Sequence, residues 1–288
     1  MGHFVNMEGV TKRYAGFSLE GVNLVIDPGE VVGLIGRNGA GKTTLIKSLL
    51  GIVHTDGGTV TLLGETGVCS PATREHLGVI LDTCPFVDEM RVSDVAFLGK
   101  VSYPGWDGAR FEELCHASGL DGRKQVEKLS RGMGMSLQMA FALAHDPQLL
   151  VLDEPTAGLD PIAREEALDA LRDFMDDDRA ILISSHITTD LEHIADRIVC
   201  IDEGRIVFDI PKDDICDTAG IARCRTEEVD AVVGSGLAGS PVHMLRGAFS
   251  TDVFVPDRHT FARTFPEVTL DRVTIEKYMT LVLKGETR

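Results

Sequence analysis

Short apolar runs that stop abruptly at small or acidic residues recur along the chain: VVGLI at 31–35, LGVIL at 77–81, LLVL at 149–152 and AILI at 180–183. Such runs, apolar on consecutive rather than alternating positions, predict strands buried on both faces, the pattern of a parallel sheet. Further strand patterns stand at TVTLL (59–63) and RIVFDI (205–210), while apolar residues at helical spacing mark FEELCHAS (111–118) and GMSLQMAFALAHDP (134–147). Proline and aspartate crowd PKDDICDTAG (211–220) and signal a change of organisation. Beyond it, DVFVP (252–256) predicts a short strand and TIEKYMTLVLKG (274–285) a helix stopped by glycine, so the last segment reads as a small α+β appendage.

None of the runs approaches the roughly 18 apolar residues of a membrane span, and the first ten residues lack the basic start and apolar core of a signal peptide. A cytosolic protein is expected. With 45 acidic against 28 basic residues the formal charge is −17, which argues against a nucleic-acid partner held by the overall field. Any phosphate must be gripped locally. The six cysteines (Cys69, Cys84, Cys115, Cys200, Cys216, Cys224) form no CxxC pair, so neither a zinc site nor a disulfide framework is indicated.

The local grip is legible in VVGLIGRNGAGKTTLIKSLLG, 31–51: a strand, a glycine-rich turn, then a helix. Gly36, Gly39 and Gly41 let the backbone curl so that its N–H groups face one anion, and the following helix adds its positive N-terminal dipole. Lys42 reaches the terminal phosphates and Thr43 offers a hydroxyl to Mg²⁺, completing GxxxxGK[ST], the P-loop or Walker A pattern. Gly36, Asn38, Gly39, Ala40, Gly41, Lys42, Thr43 and Thr44 are therefore the expected triphosphate-binding residues. DTAG at 217–220 superficially fits the DxxG of GTPases, but it lies long after the second carboxylate motif. Asn6, Asn23 and Asn38 form no guanine-reading NKxD, so it reads as a turn.

QLLVLDEPTAGLD, 148–160, is a second apolar strand, ending in adjacent carboxylates. Asp153 is placed to hold Mg²⁺ through water, and Glu154 is the candidate base that orients a water in line with the γ-phosphate. AILISSHITTDLEHIADRIVCID, 180–202, gives a further strand followed by His186, at the C-terminal sheet edge where α/β ligand sites assemble. His186 is the expected γ-phosphate contact.

In this order the residues resemble the ATP-binding subunit of an ABC transporter, from about Phe4 to Phe208. The resemblance implies an α/β fold: a P-loop NTPase with a mainly parallel sheet, antiparallel N-terminal strands and a helical insert at about 83–145. Residues 1–210 would form the ATP-binding domain and 211–288 an accessory segment. It further implies that Tyr14 stacks on adenine, that Glu154 and His186 serve catalysis, and that Asp160 in AGLD reaches an opposite subunit. LSRGM at 129–133 falls where the family's LSGGQ signature begins a helix; Ser130 and Gly132 would contact ATP held by the partner subunit, sandwiching two nucleotides between two subunits.

Three positions depart from the family, one of them Met133, which replaces the glutamine of the signature. Arg131 replaces a glycine, and if that backbone needs a positive φ a side chain there is strained. Asp82 stands where the family has the Q-loop glutamine and, as a hard oxygen ligand, is a candidate for Mg²⁺ alongside Thr43 and Asp153. Pro85, Phe86 and Val87 either line a groove for a membrane subunit or pack the insert. The expected function is the ATPase subunit, with ATP and Mg²⁺, of a transporter whose integral membrane permease is a separate chain. LSRGM and YPGW resemble export-type subunits, placing the chain peripherally on the inner face of the membrane as a homodimer or heterodimer of ATP-binding subunits. The competing reading is a soluble regulatory ATPase of the same family, without a membrane partner.

Overall fold

The computed structural model describes residues 2–67 and 69–287. They divide into two compact units: residues up to Ile187 with Ile201–Val207, and Thr188–Cys200 with Phe208 onward.

The first unit opens with β1 (Val5–Tyr14) and β2 (Phe17–Ile26), followed by β3 (Val31–Ile35), α1 (Lys42–Leu49), β4 (Gly57–Leu62) and β5 (Glu65–Thr66). β1, β2, β4 and β5 form an antiparallel sheet in the order β2-β1-β4-β5. Its apolar positions, among them Val5, Met7, Val10, Leu19, Val22 and Leu24, are buried while most residues between them stay wet. This is the one-sided alternation an antiparallel sheet permits.

Next come α2 (Pro71–Arg74), β6 (Leu77–Ile80), α3 (Val92–Ser102), α4 (Gly108–Ala117), α5 (Arg131–Leu143), β7 (Leu149–Asp153), α6 (Pro161–Phe174) and β8 (Ala180–Ser184). β3, β8, β7 and β6 run parallel, and every residue of β3, β7 and β8 is buried. Enclosing one such Leu or Ile side chain is worth about 1.5–3 kcal/mol, which is why these runs carry no polar alternation. The helix expected from Phe111 begins three residues earlier, because the Asp107 side chain accepts a hydrogen bond from Arg110 N and caps it.

Helices α3 to α5 form the insert. Phe86, Val95, Phe111 and Leu137 sit in its core, and Trp106 packs between the rings of Phe111 and Phe141. His145 ties it to the parallel sheet: its ring stacks on Tyr103 at 3.9 Å, Nδ1 lies 3.2 Å from Phe141 O and Nε2 lies 3.1 Å from Leu77 O. Burial holds its pKa below the ordinary histidine value, so the neutral ring donates to one carbonyl at a time.

The remaining elements are α7 (Thr188–Ile194), β9 (Arg197–Asp202), β10 (Arg205–Pro211), β11 (Gly220–Cys224), α8 (Thr226–Gly234), β12 (His243–Arg246), β13 (Thr251–Val255), α9 (Arg258–Thr264), β14 (Thr269–Arg272), α10 (Ile275–Lys284) and β15 (Glu286–Thr287). The six-stranded sheet has the order β10-β9-β3-β8-β7-β6, and Ile201–Val207 of its first two strands belong to the first unit. In the second unit the antiparallel order β14-β11-β13-β12-β15, with α8 after β11 and α9 after β13, is the split βαββαβ arrangement. Ala222, Cys224, Met244, Val253 and Val255 form one core with Val229, Val232 and Phe261 of α8 and α9. Phe254, on the opposite sheet face, packs against Tyr278 of α10 at 4.8 Å, and Lys277 pairs with Asp252. Thr218 ends a short helical turn and Gly220 opens β11, so the residues of DTAG make a turn into a strand.

Candidate functional site

The loop between β3 and α1 is shaped by what its glycines exclude. A Cβ on Gly36 would lie 2.2 Å from Ile201 O, so the backbone passes too close for any side chain. Gly41 adopts φ 116° as the N-cap of α1, and a Cβ there would meet the Phe17 ring at 2.7 Å. Both positions therefore require glycine. Lys42 opens the helix and is 8% exposed; its ammonium donates to Gly36 O at 2.9 Å and lies 3.7 Å from Glu154 Oε1. The chain thus folds a nearly buried cation back into its own loop beside a helix N-terminus, the combination that holds a phosphate.

At the ends of β7 and β8 the carboxylates are fixed by hydroxyls. Asp153 Oδ2 accepts from Thr43 Oγ1 at 2.7 Å and Oδ1 from Ser184 Oγ at 2.6 Å. Ser184 Oγ also accepts from Glu154 N at 3.1 Å, so one hydroxyl aligns both acids. Glu154 itself has φ 55°. A left-handed, non-glycine residue costs on the order of 1–3 kcal/mol and persists only where its surroundings impose it. Here they do: Glu154 Oε2 accepts from His186 N at 3.1 Å and lies 2.5 Å from His186 Nδ1. Thr43, Asp153 and Ser184 therefore present hard oxygens, the donor chemistry that suits Mg²⁺.

Beside the loop is a cavity of about 680 Å³ whose walls include Tyr14, Phe17, Arg37, Asn38, Gly39 and Ala40, with Arg13 beside Tyr14. Tyr14 is half exposed, with Lys12 Nζ 5.5 Å from its ring centre. Thr44 follows Thr43 in the first turn of α1.

The other expected residues stand apart from this cluster. Ser130 Oγ caps α5 by accepting from Met133 N at 3.2 Å, and Gly132 faces Leu159, which a Cβ would meet at 3.6 Å. Asp160 Oδ1 caps α6, accepting from Ile162 N and Ala163 N at 3.0 Å. Arg131 is the first residue of α5 and is absent from the positive-φ positions, so the strain expected for a side chain there does not arise. Asp82, considered above as an Mg²⁺ ligand, accepts a hydrogen bond on Oδ1 from Arg131 Nη2 at 3.0 Å. Phe86 packs on Phe141 at 5.1 Å within the insert core, while Val87 is 60% exposed.

Sequence reasoning missed Ser184, Arg13, Arg37 and Phe17. Ser184 carried a signal, a hydroxyl at the end of an apolar strand two residues before His186. Arg37 stands inside the quoted glycine-rich motif, whereas Arg13 and Phe17 carried no signal, since they reach the loop only through the β1–β2 hairpin.

A P-loop, a paired carboxylate at the next strand but one, and a helical insert between them define an ATP-hydrolysing P-loop domain. The family model described as "ABC transporter" matches residues 19–157. The Nod factor export ATP-binding protein I of Burkholderia pseudomallei is 37% identical over 216 residues, covering 70% of this chain and 68% of that protein. The daunorubicin resistance ATP-binding protein DrrA3 of Streptomyces coeruleorubidus is 31% identical over 250 residues, covering 84% and 77%. A solved ATP-binding subunit of an ABC transporter superposes with TM-score 0.67 at 28% identity, over 74% of this chain and 91% of that one. The chain belongs to the ABC-transporter ATP-binding family, as an ATP-hydrolysing subunit of it.

Proposed function

We propose that the chain powers a separate transmembrane permease, working in the direction of export, and that two ATP-binding subunits close around ATP during the cycle. ATP would lie with its base against Tyr14 and its phosphates on the loop from Gly36 to Thr44. Lys42 neutralises phosphate charge, Glu154 orients and polarises the attacking water, and His186 holds the Glu154 carboxylate and contacts the γ-phosphate. Mg²⁺, when bound, would be held by Thr43 and Asp153 and would offset the charge of the phosphates. Ser130, Gly132 and Asp160 would face the second subunit.

The observation that carries the permease is an apolar face left open on the insert: Phe97 is 66% exposed, Val101 63% and Leu98 37%, at helical spacing on α3. Val87, just before that helix, is 60% exposed. Contiguous exposed apolar side chains mark an interaction surface. The names of two relatives, one of Nod factor export and one of daunorubicin resistance, support the outward direction. No helix among the described residues is long and apolar enough to cross a membrane.

Purification from detergent-solubilised membranes tests this. A stoichiometric integral membrane protein that is lost on Phe97→Asp supports the permease reading. Exclusively soluble partners would replace it with the regulatory ATPase.

A further inference from the structure

Two of the positions that depart from the family meet in space. Asp82 follows β6, Arg131 opens α5, and 49 residues of sequence separate them, yet Arg131 Nη2 donates to Asp82 Oδ1 at 3.0 Å. The same side chain lies across the loop between β7 and α6: a Cβ on Gly158 would stand 3.1 Å from Arg131 Cδ and Nε. One guanidinium thus touches the end of a core strand and the loop after Glu154 while standing at the first turn of the insert's last helix. A glycine at 131 could not make this pair, and the family's uncharged glutamine at 82 would accept from the guanidinium without forming an ion pair.

The contact is built for exchange. Arg131 and Asp82 are 57% and 61% exposed, so water and salt screen the pair and it adds little stability. It is made through one terminal nitrogen, which leaves most of a planar five-donor fork facing outward. Phosphate oxygens, carrying more charge and accepting in a bidentate fashion, are stronger partners for that fork than one carboxylate oxygen.

We propose that Arg131 is a phosphate-contacting residue held in reserve by Asp82. Asp82 keeps the guanidinium folded back over Gly158, and the phosphates of ATP carried by the facing subunit take it over when two subunits close. Asp82 is then a positioning residue that acts through Arg131. The proposal rests on the closure of two ATP-binding subunits proposed above.

ATP-driven association of the full chain, with itself or with the ATP-binding subunit that copurifies with it, provides the test. Association is measured by light scattering for a Glu154→Gln parent and for that parent carrying Arg131→Gly, Arg131→Lys, Asp82→Asn or Arg131→Gly with Asp82→Asn. The expected result is a loss of about tenfold or more in association for Arg131→Gly, partly restored by Arg131→Lys, and a gain for Asp82→Asn that vanishes when Arg131 is absent. A loss for Asp82→Asn of equal size with and without Arg131 overturns the proposal and makes Asp82 a ligand in its own right. Unchanged association for Arg131→Gly overturns it too. A parent that binds ATP yet never associates removes the closure reading, and this proposal with it. A parent that associates while the two substitutions act additively removes this proposal alone.

Discussion

The groups around Lys42 and those around Arg131 are chemically alike, but they are held differently. Lys42, Asp153 and Glu154 are 8%, 2% and 16% exposed; Gly36 O holds the lysine, and Thr43, Ser184 and His186 fix the two acids by hydrogen bonds. Ser130, Arg131, Asp82 and Asp160 lie at the surface, each satisfied by its own helix or by one exposed partner. The first cluster is preorganised, the condition under which fixed charges stabilise a transition state without rearranging. The second is adaptable, which is why glutamine and glycine could become aspartate and arginine there without backbone strain.

The sharpest way to break this contrast is Glu154→Gln. If the interlocked cluster performs the chemistry, turnover falls by ~10²–10⁴-fold while ATP binding persists. Rapid hydrolysis by the purified variant would take Glu154 out of the base role. Lys42→Ala should act on affinity: loss of a nearly buried cation that faces phosphate costs on the order of 2–5 kcal/mol, hence about 30-fold or more in triphosphate binding. Fluorescent-nucleotide titration reads it directly, and an unchanged affinity would count against the loop.

Ser184→Ala is the next test, because no motif named this residue. It leaves Asp153 Oδ1 without its 2.6 Å donor and removes the hydroxyl that accepts from Glu154 N. Leaving one such buried group unpaired costs about 1–3 kcal/mol, so turnover should drop roughly tenfold with a matching fall in thermal stability. Turnover and melting both equal to wild type would show that Thr43 suffices to align Asp153 and His186 to align Glu154.

The buried cluster was mostly legible because its signals are dense: strand, glycine turn, lysine and threonine fall within one short segment, and the carboxylates end an apolar run. The substituted positions were legible only as departures. Nothing in the spacing of Asp82 and Arg131 reveals that they pair, since a contact across 49 residues depends on how α5 docks beside β6. The C-terminal segment was legible as α+β from DVFVP and the amphipathic helix at its end. Its strand order was not, because β11 lies between β13 and β14, both later in the chain.

His145 offers a smaller test, of the junction that carries the adaptable cluster on the core. Burial lowers its folded pKa below 6.5, although the carbonyls of Leu77 and Phe141 and the Asp146 carboxylate oppose the shift and His76 adds to it. The unfolded chain therefore takes up the proton first. This contribution to stability is whole above the unfolded pKa of 6.5 and is lost as pH falls through the folded value. Thermal melting from about pH 7.5 down to 5.5 should decline more steeply for the wild type than for His145→Phe. Parallel curves would mean that the two carbonyls compensate the proton fully.

The smallest effect separates the two jobs of Ser130. Its hydroxyl caps α5 through Met133 N, so Ser130→Ala should cost about 0.5–2 kcal/mol and lower the melting temperature by a few degrees. That loss alone would say nothing about phosphate. Ser130→Asp is the informative variant, since aspartate caps a helix as well as serine and its charge favours a helix N-terminus. A phosphate approaching the same spot would meet a like charge. If Ser130 faces the second subunit's nucleotide, Ser130→Asp keeps the melting temperature and loses ATP-driven association, whereas Ser130→Ala loses the first and keeps most of the second. Should aspartate preserve both, Ser130 is only a cap, and the adaptable half of the site narrows to Arg131, Gly132 and Asp160.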